Sequence, residues 1–178
     1  MRKIEVIILA NETPEDHKLW ILACKERAEF VNHRVVDLTK NNWLEEIQSQ
    51  PFDILLAKPG GVSTAFKQLY DERIYILNKV LNYPVYPSAD EIFIYENKRF
   101  LSYWLKANQI LHPETFIFYY ADEAIQYLKN TSYPLVAKTN IGASGSGVKI
   151  LRDESAAEKY ILNTFSGRGA IKRWGPNF

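Results

Sequence analysis

The run Ile4-Glu5-Val6-Ile7-Ile8-Leu9 constrains the fold of this chain more than any other feature. It has strand length, is rich in β-branched residues, and carries one charge, Glu5. A nearly unbroken apolar strand is expected where helices cover both faces of a parallel sheet. The following residues fit that expectation, because helix-period stretches alternate with further apolar runs. Thr13-Pro14 opens a helix, a capping hydroxyl followed by proline at the first helical position, with Leu19, Leu22, Ala23 and Phe30 near one face. Residues 34–38 read as a second strand, 42–48 as a short helix and 52–57 as a third strand. Ser63 caps a helix whose buried stripe is predicted as Phe66, Leu69, Ile76, Leu77 and Val80, and Pro84-Val85-Tyr86 is a short strand. Residues 1–87 are thus predicted to form one β-α-β-α-β-α-β domain.

Beyond Pro87 the pattern changes. Ser88 and Glu91 form a capping-box pattern, and the helix they start is expected to carry Lys98, Phe100, Leu101, Trp104 and Leu105 as a link onward. Residues 115–119 read as a strand, 122–128 as a helix, Leu135–Lys138 and Val148–Leu151 as strands, and 153–165 as a helix with an Asp cap. Adjacent strands imply a partly antiparallel sheet, so residues 88–165 are predicted as an α+β unit. Residues 166–178 are rich in glycine and cations and read as a flexible tail or the start of a further loop.

Several classes are excluded. Lys+Arg exceed Asp+Glu by 22 − 21, a net +1, so there is no basic field for general nucleic-acid binding. Met1-Arg2-Lys3 before the first apolar run imitates a signal peptide, but Glu5 interrupts it and no small-x-small cleavage site follows. No stretch approaches the roughly 20 apolar residues of a membrane span. A single cysteine, Cys24, fits a reducing compartment and reads as helix core. The chain is therefore expected to be soluble and cytoplasmic. His17, His33 and His112 lie far apart without metal-ligand spacing.

The chemistry concentrates between two strands. Leu135-Val136-Ala137-Lys138 ends in a lysine, then Gly142-Ala143-Ser144-Gly145-Ser146-Gly147 leads into Val148. Hairpin connections normally have two to five residues, and long ones tend to be functional. Small residues leave backbone amides unshielded, so such a loop can donate to phosphate oxygens, with Lys138 as a point charge. It is not a P-loop, because no Lys-Ser or Lys-Thr closes it and a strand follows. Nor is it a dinucleotide fingerprint, which belongs after the first strand, where Ala10-Asn11-Glu12-Thr13-Pro14 has no glycine. Composition alone also allows a flexible surface hairpin.

Tyr133-Pro134-Leu135-Val136-Ala137-Lys138 followed by Gly142-Ala143-Ser144-Gly145-Ser146-Gly147-Val148 resembles the ATP-grasp superfamily. That superfamily includes D-alanine–D-alanine ligase, ribosomal-protein glutamate ligases, biotin carboxylase and carbamoyl phosphate synthetase. Asn97-Lys98 and Pro113-Glu114-Thr115 match further landmarks in the right order. The resemblance implies a Rossmann-like pre-ATP-grasp domain over residues 1–87, then the first α+β lobe of the ATP-grasp module over 88–165. It implies that Lys98 and Lys138 contact ATP phosphates and that Gly142, Ala143, Ser144, Gly145, Ser146, Gly147 and Val148 close over the triphosphate. The activity implied is ATP-dependent ligation: a carboxylate, on a small molecule or a peptide, becomes an acyl phosphate that an amine or thiol attacks. The adenine hinge, the magnesium ligands and the second lobe would follow residue 178, so the chain by itself is expected to bind ATP phosphates and turn nothing over. Two alternatives are a non-catalytic scaffold with a degenerate ATP-grasp fold and, from residues 1–87 alone, a dinucleotide or nucleotide-sugar enzyme. Asp53, Lys58, Gly60 and Gly61 are expected at the carboxyl end of a parallel strand, where they would help hold the acceptor. An apolar face left open by a half-module is expected to favour a homodimer.

Overall fold

The computed structural model describes residues 2–60, 62–142, 145 and 147–166. The chain divides into two compact units, Met1–Glu96 and Asn97–Phe178.

The first unit contains β1 (Ile4–Leu9), α1 (Pro14–Glu26), β2 (Val31–Val36), α2 (Trp43–Gln48), β3 (Ile54–Leu56), α3 (Thr64–Tyr75), β4 (Val85–Tyr86) and α4 (Ala89–Ile94). Its four strands are parallel in the order β2-β1-β3-β4. Alternation along central β1 supplies both faces of the sheet. Ile7 and Leu9 join Leu55, Tyr70, Ile74, Leu77 and Ile92 in one core, while Val6 and Ile8 pack with Cys24, Trp20 and Ile21 of α1 in the other. β2 begins three residues earlier than the sequence pattern places it, at Val31 and not 34. The reason is pairing: Ile4 N–H donates to the Phe30 carbonyl at 2.8 Å, and Ala10 N–H donates to that of Val36 at 2.8 Å.

The buried stripe of α3 also differs from expectation. Lys67, Tyr70, Ile74 and Leu77 are buried, whereas Ile76 and Val80 are exposed. Residues Ile76–Val80 form a π-helical turn, closed by Leu81 N–H on the Ile76 carbonyl at 2.9 Å. The extra residue per turn rotates the later side chains off the expected face. Lys67 is only 2% exposed, and its ammonium donates to Asp71 at 2.5 and 2.6 Å and to the Ile92 carbonyl at 2.9 Å. Burial pushes the Lys67 pKa down and that of Asp71 up, while each partner opposes the shift on the other.

That clamp ties α4 to α3 within the first unit. The Ser88–Glu91 capping box is present, with Ser88 N–H donating to the Glu91 carboxylate at 2.8 Å. The helix it starts ends at Ile94 and packs Ile92 into the first core. Glu96 then adopts a left-handed φ of 51°, and Asn97 caps a separate helix. The predicted single linking helix is therefore two helices, and the two compact units divide between Glu96 and Asn97.

The second unit contains α5 (Lys98–Ala107), α6 (Ala121–Leu128), β5 (Leu135–Lys138), β6 (Val148–Leu151) and α7 (Glu154–Phe165). Asp153 caps α7, accepting from Ala156 N–H at 2.8 Å. β5 and β6 are antiparallel, with Leu135 opposite Leu151 and Lys138 opposite Val148. Ala124 and Leu128 of α6 and Ala157 and Ile161 of α7 form the core with Leu151, Leu135 and Ala137. The predicted strand at 115–119 is not one: these residues join no sheet. Phe116 and Phe118 instead set their rings 4.5 and 5.3 Å from that of Tyr127. Among the described residues no helix is long and apolar enough to cross a membrane.

Removing either charge of the buried pair strands the other. Lys67→Ala and Asp71→Ala are each expected to cost about 3 kcal/mol or more in urea unfolding of the chain, with Lys67→Met/Asp71→Leu losing much less. Single variants as stable as the parent would show the pair to be dispensable.

Candidate functional site

The β5–β6 hairpin has two unlike faces. Leu135, Ala137 and Leu151 point into the core. Val136, Lys138, Val148 and Ile150 occupy exposed positions, with Val136 directly opposite Ile150 and Lys138 opposite Val148. Val136 is 58% exposed and Ile150 56%, so the cross-strand apolar pair is open. Lys138 stands at the loop end of this strip.

The connecting loop is tied at its base. Thr139 N–H donates to the Gly147 carbonyl at 3.0 Å, and Val148 N–H to that of Gly145 at 3.2 Å. Gly145 and Gly147 have φ of +78° and +76°, the left-handed region that favours glycine. Gly147 is doubly restricted, since a Cβ there would lie 2.0 Å from Thr139 Oγ1. Ala143, Ser144 and Ser146, expected to donate to phosphates, lie outside the described residues.

Lys98 arrives from α5. It is the first residue of that helix, and its Nζ donates to the Gly142 carbonyl. Its own backbone N–H donates to the Asn140 carbonyl at 3.1 Å. Asn140 Oδ1 accepts from Arg99 N–H at 2.9 Å, and Asn97 Oδ1 accepts from Phe100 N–H at 3.2 Å. Three first-turn amides of α5 thus have partners from two asparagines. The fold brings the Lys98 ammonium to Gly142, on the same entry side of the glycine loop where Lys138 ends β5. Sequence reasoning missed Asn140, Val136 and Ile150. The period-two alternation of β5 and β6 pointed to an open apolar pair, but no local rule links an asparagine to a helix start some 40 residues earlier.

The first unit offers a different picture. Asp53 lies at the amino end of β3, not the carboxyl end expected for it. Its carboxylate accepts from Glu5 N–H at 2.8 Å and from the Arg2 guanidinium. Lys58 does follow the strand's carboxyl end, but it is paired with Asp16 at 2.6 Å. Glu12 accepts from Val62 and Ser63 N–H, both at 3.0 Å, and Asn11 Nδ2 donates to the Lys58 carbonyl at 2.7 Å. Gly60 is pressed against Phe66, where a Cβ would lie 2.5 Å from the ring, and Gly61 lies outside the described residues. These charges and amides neutralise one another and brace the loop ends. The hydrogen bond from Lys58, then that from Thr13, lowers the pKa of Asp16 below its ordinary 3.8. Cys24 is buried, and desolvation raises its thiol pKa. Among the described residues no group of three His, Cys, Asp or Glu comes together that could hold a metal ion.

No family model matches the chain, and no curated protein sequence matches it significantly. Solved structures do. The RimK-domain ATP-grasp protein of Sphaerobacter thermophilus matches with a TM-score of 0.64 at 18% identity, over 97% of this chain and 64% of that one. D-alanyl-alanine synthetase A of Vibrio cholerae matches with 0.63 at 14% identity, over 94% and 57%. D-alanine–D-alanine ligase of Bacillus anthracis, solved in complex with ATP, matches with 0.58 at 17% identity, over 93% and 54%. The fold is that of the N-terminal part of ATP-grasp proteins. The chain spans less than two thirds of the length of these structures.

Two outcomes follow from the geometry. Gly147→Ala is expected to destabilise the second unit by at least about 1 kcal/mol in urea unfolding, through both its φ and its contact with Thr139. Gly145→Ala, which meets no neighbour within 4 Å, is expected to cost less. Asp16 protonates more readily unfolded than folded, so the Lys58 pair stabilises fully above the ordinary carboxylate pKa of 3.8 and is lost as pH falls through the lower folded value. Asp16→Asn is therefore expected to flatten the acid limb of the stability–pH profile, and an unchanged limb would contradict the assignment.

Proposed function

We propose that this chain, with its ATP-grasp N-terminal fold, supplies the phosphate-gripping part of an ATP-dependent ligase. The observation that carries the reading is the placement of two lysines on the entry side of one glycine loop. Lys98 Nζ rests on the Gly142 carbonyl, and Lys138 ends the strand that enters the loop. Both ammonium groups offset charge on a transferring phosphoryl group, and loop amides donate to its oxygens. The open Val136–Ile150 pair beside Lys138 offers an apolar surface to a flat purine.

In the reaction this reading implies, a carboxylate oxygen attacks the γ-phosphorus and the bond to the β-phosphate oxygen breaks, releasing ADP. An amine nitrogen or thiol sulfur then attacks the acyl carbon, the acyl–oxygen bond breaks, phosphate leaves, and the nucleophile loses a proton. The residues named here act on the first step, by holding the triphosphate and balancing its charge. A carboxylate on a small molecule or peptide is the substrate class. Magnesium would supply charge neutralisation on the phosphates. Among the described residues no group of three His, Cys, Asp or Glu comes together that would hold it, and no step runs through the ion.

Calorimetric titration of the chain with ATP and with inorganic triphosphate tests the reading. Weak binding of both is expected. Lys98→Met and Lys138→Met should each weaken it about tenfold, the size of one charge-assisted hydrogen bond. Val136→Asp should weaken ATP binding more than triphosphate binding. Absence of ATP binding, or affinity indifferent to both lysines, would overturn it.

A further inference from the structure

We infer that Asn140 is a positioning residue that sets nucleotide affinity through Lys98; this deepens the nucleotide-binding reading and rests on it. The argument begins with the donors at the start of α5. A helix leaves its first amides without internal partners, and here the flanking Asn97 accepts from that of Phe100. The amides of Lys98 and Arg99 are taken by Asn140, one by its backbone carbonyl at 3.1 Å and one by its side-chain oxygen at 2.9 Å. Both contacts converge on one residue between β5 and the glycine loop. They fix the peptide from which the Lys98 side chain departs, and Nζ then meets the carbonyl of Gly142, two residues further along.

This arrangement separates a fixed part from an exchangeable one. The two amide bonds hold the helix start to the loop base and do not involve the ammonium. An incoming phosphate oxygen offers Nζ a charged acceptor in place of the neutral Gly142 carbonyl, and charge-assisted bonds are about twice as strong. Lys98 can therefore pass from carbonyl to phosphate while its root stays in place. The chemistry of the residue fits this role. Aspartate would accept from Arg99 N–H equally well but would set a full negative charge near the incoming phosphates. Asparagine provides the acceptor without the repulsion.

The experiment is a double-mutant cycle on the 178-residue chain, read by ATP titration with urea unfolding and amide exchange in parallel. Asn140→Ala is expected to weaken ATP binding about fivefold, the size of a lost capping bond, and to speed exchange of the Arg99 amide. In the Lys98→Met background the same change should have no further effect on affinity. Asn140→Asp should keep the Arg99 amide protected and unfolding unchanged, yet weaken ATP binding in a manner that added salt relieves. Losses that add in the double variant, or an Asn140→Ala variant that binds as the parent does, would overturn the inference and leave the nucleotide reading intact. A parent chain that binds no ATP would remove the nucleotide reading, and this inference with it.

Discussion

The ammonium of Lys98 on the carbonyl of Gly142 is the contact on which the candidate site depends. The same helix start that delivers Lys98 has three of its first-turn amides occupied by Asn97 and Asn140. The positive end of α5 therefore serves the fold, and under the proposed function recognition of an anion falls to side-chain ammonium groups and to the loop that Thr139 and Gly147 tie off.

A two-stranded sheet is marginal by itself. Here α6 and α7 cover one face and make it stable, which leaves the opposite face without structural duty. Exposed Val136, Val148 and Ile150 on that face would be a liability in a surface hairpin, and beside Lys138 they make an amphipathic strip instead. The two faces follow from period-two alternation alone, so the same few residues specify both the core and the open strip.

Much of this was legible in the residues. Ile4–Leu9 announced a central parallel strand, Ser88 and Glu91 a real capping box, Asp153 a real helix cap, and Lys138 with the glycine loop a hairpin. What failed did so because tertiary partners decide it. The 115–119 segment has strand composition, but its rings are occupied by Tyr127. Lys67 was not among the buried residues expected of its helix, and Asp71 with the Ile92 carbonyl is what lets it be buried. Asp53 turns inward to Glu5 and Arg2 because it precedes its strand. Asn140 was silent, since its partners lie on a helix remote in sequence.

Glu96 has a left-handed backbone between two helices that sequence periodicity would have fused. On either side of it each unit closes its own core, the first with Ile92 and the second with Ala157 and Ile161. Separate cores make separable modules. A cut or insertion placed at this residue would leave the core cluster of each unit whole.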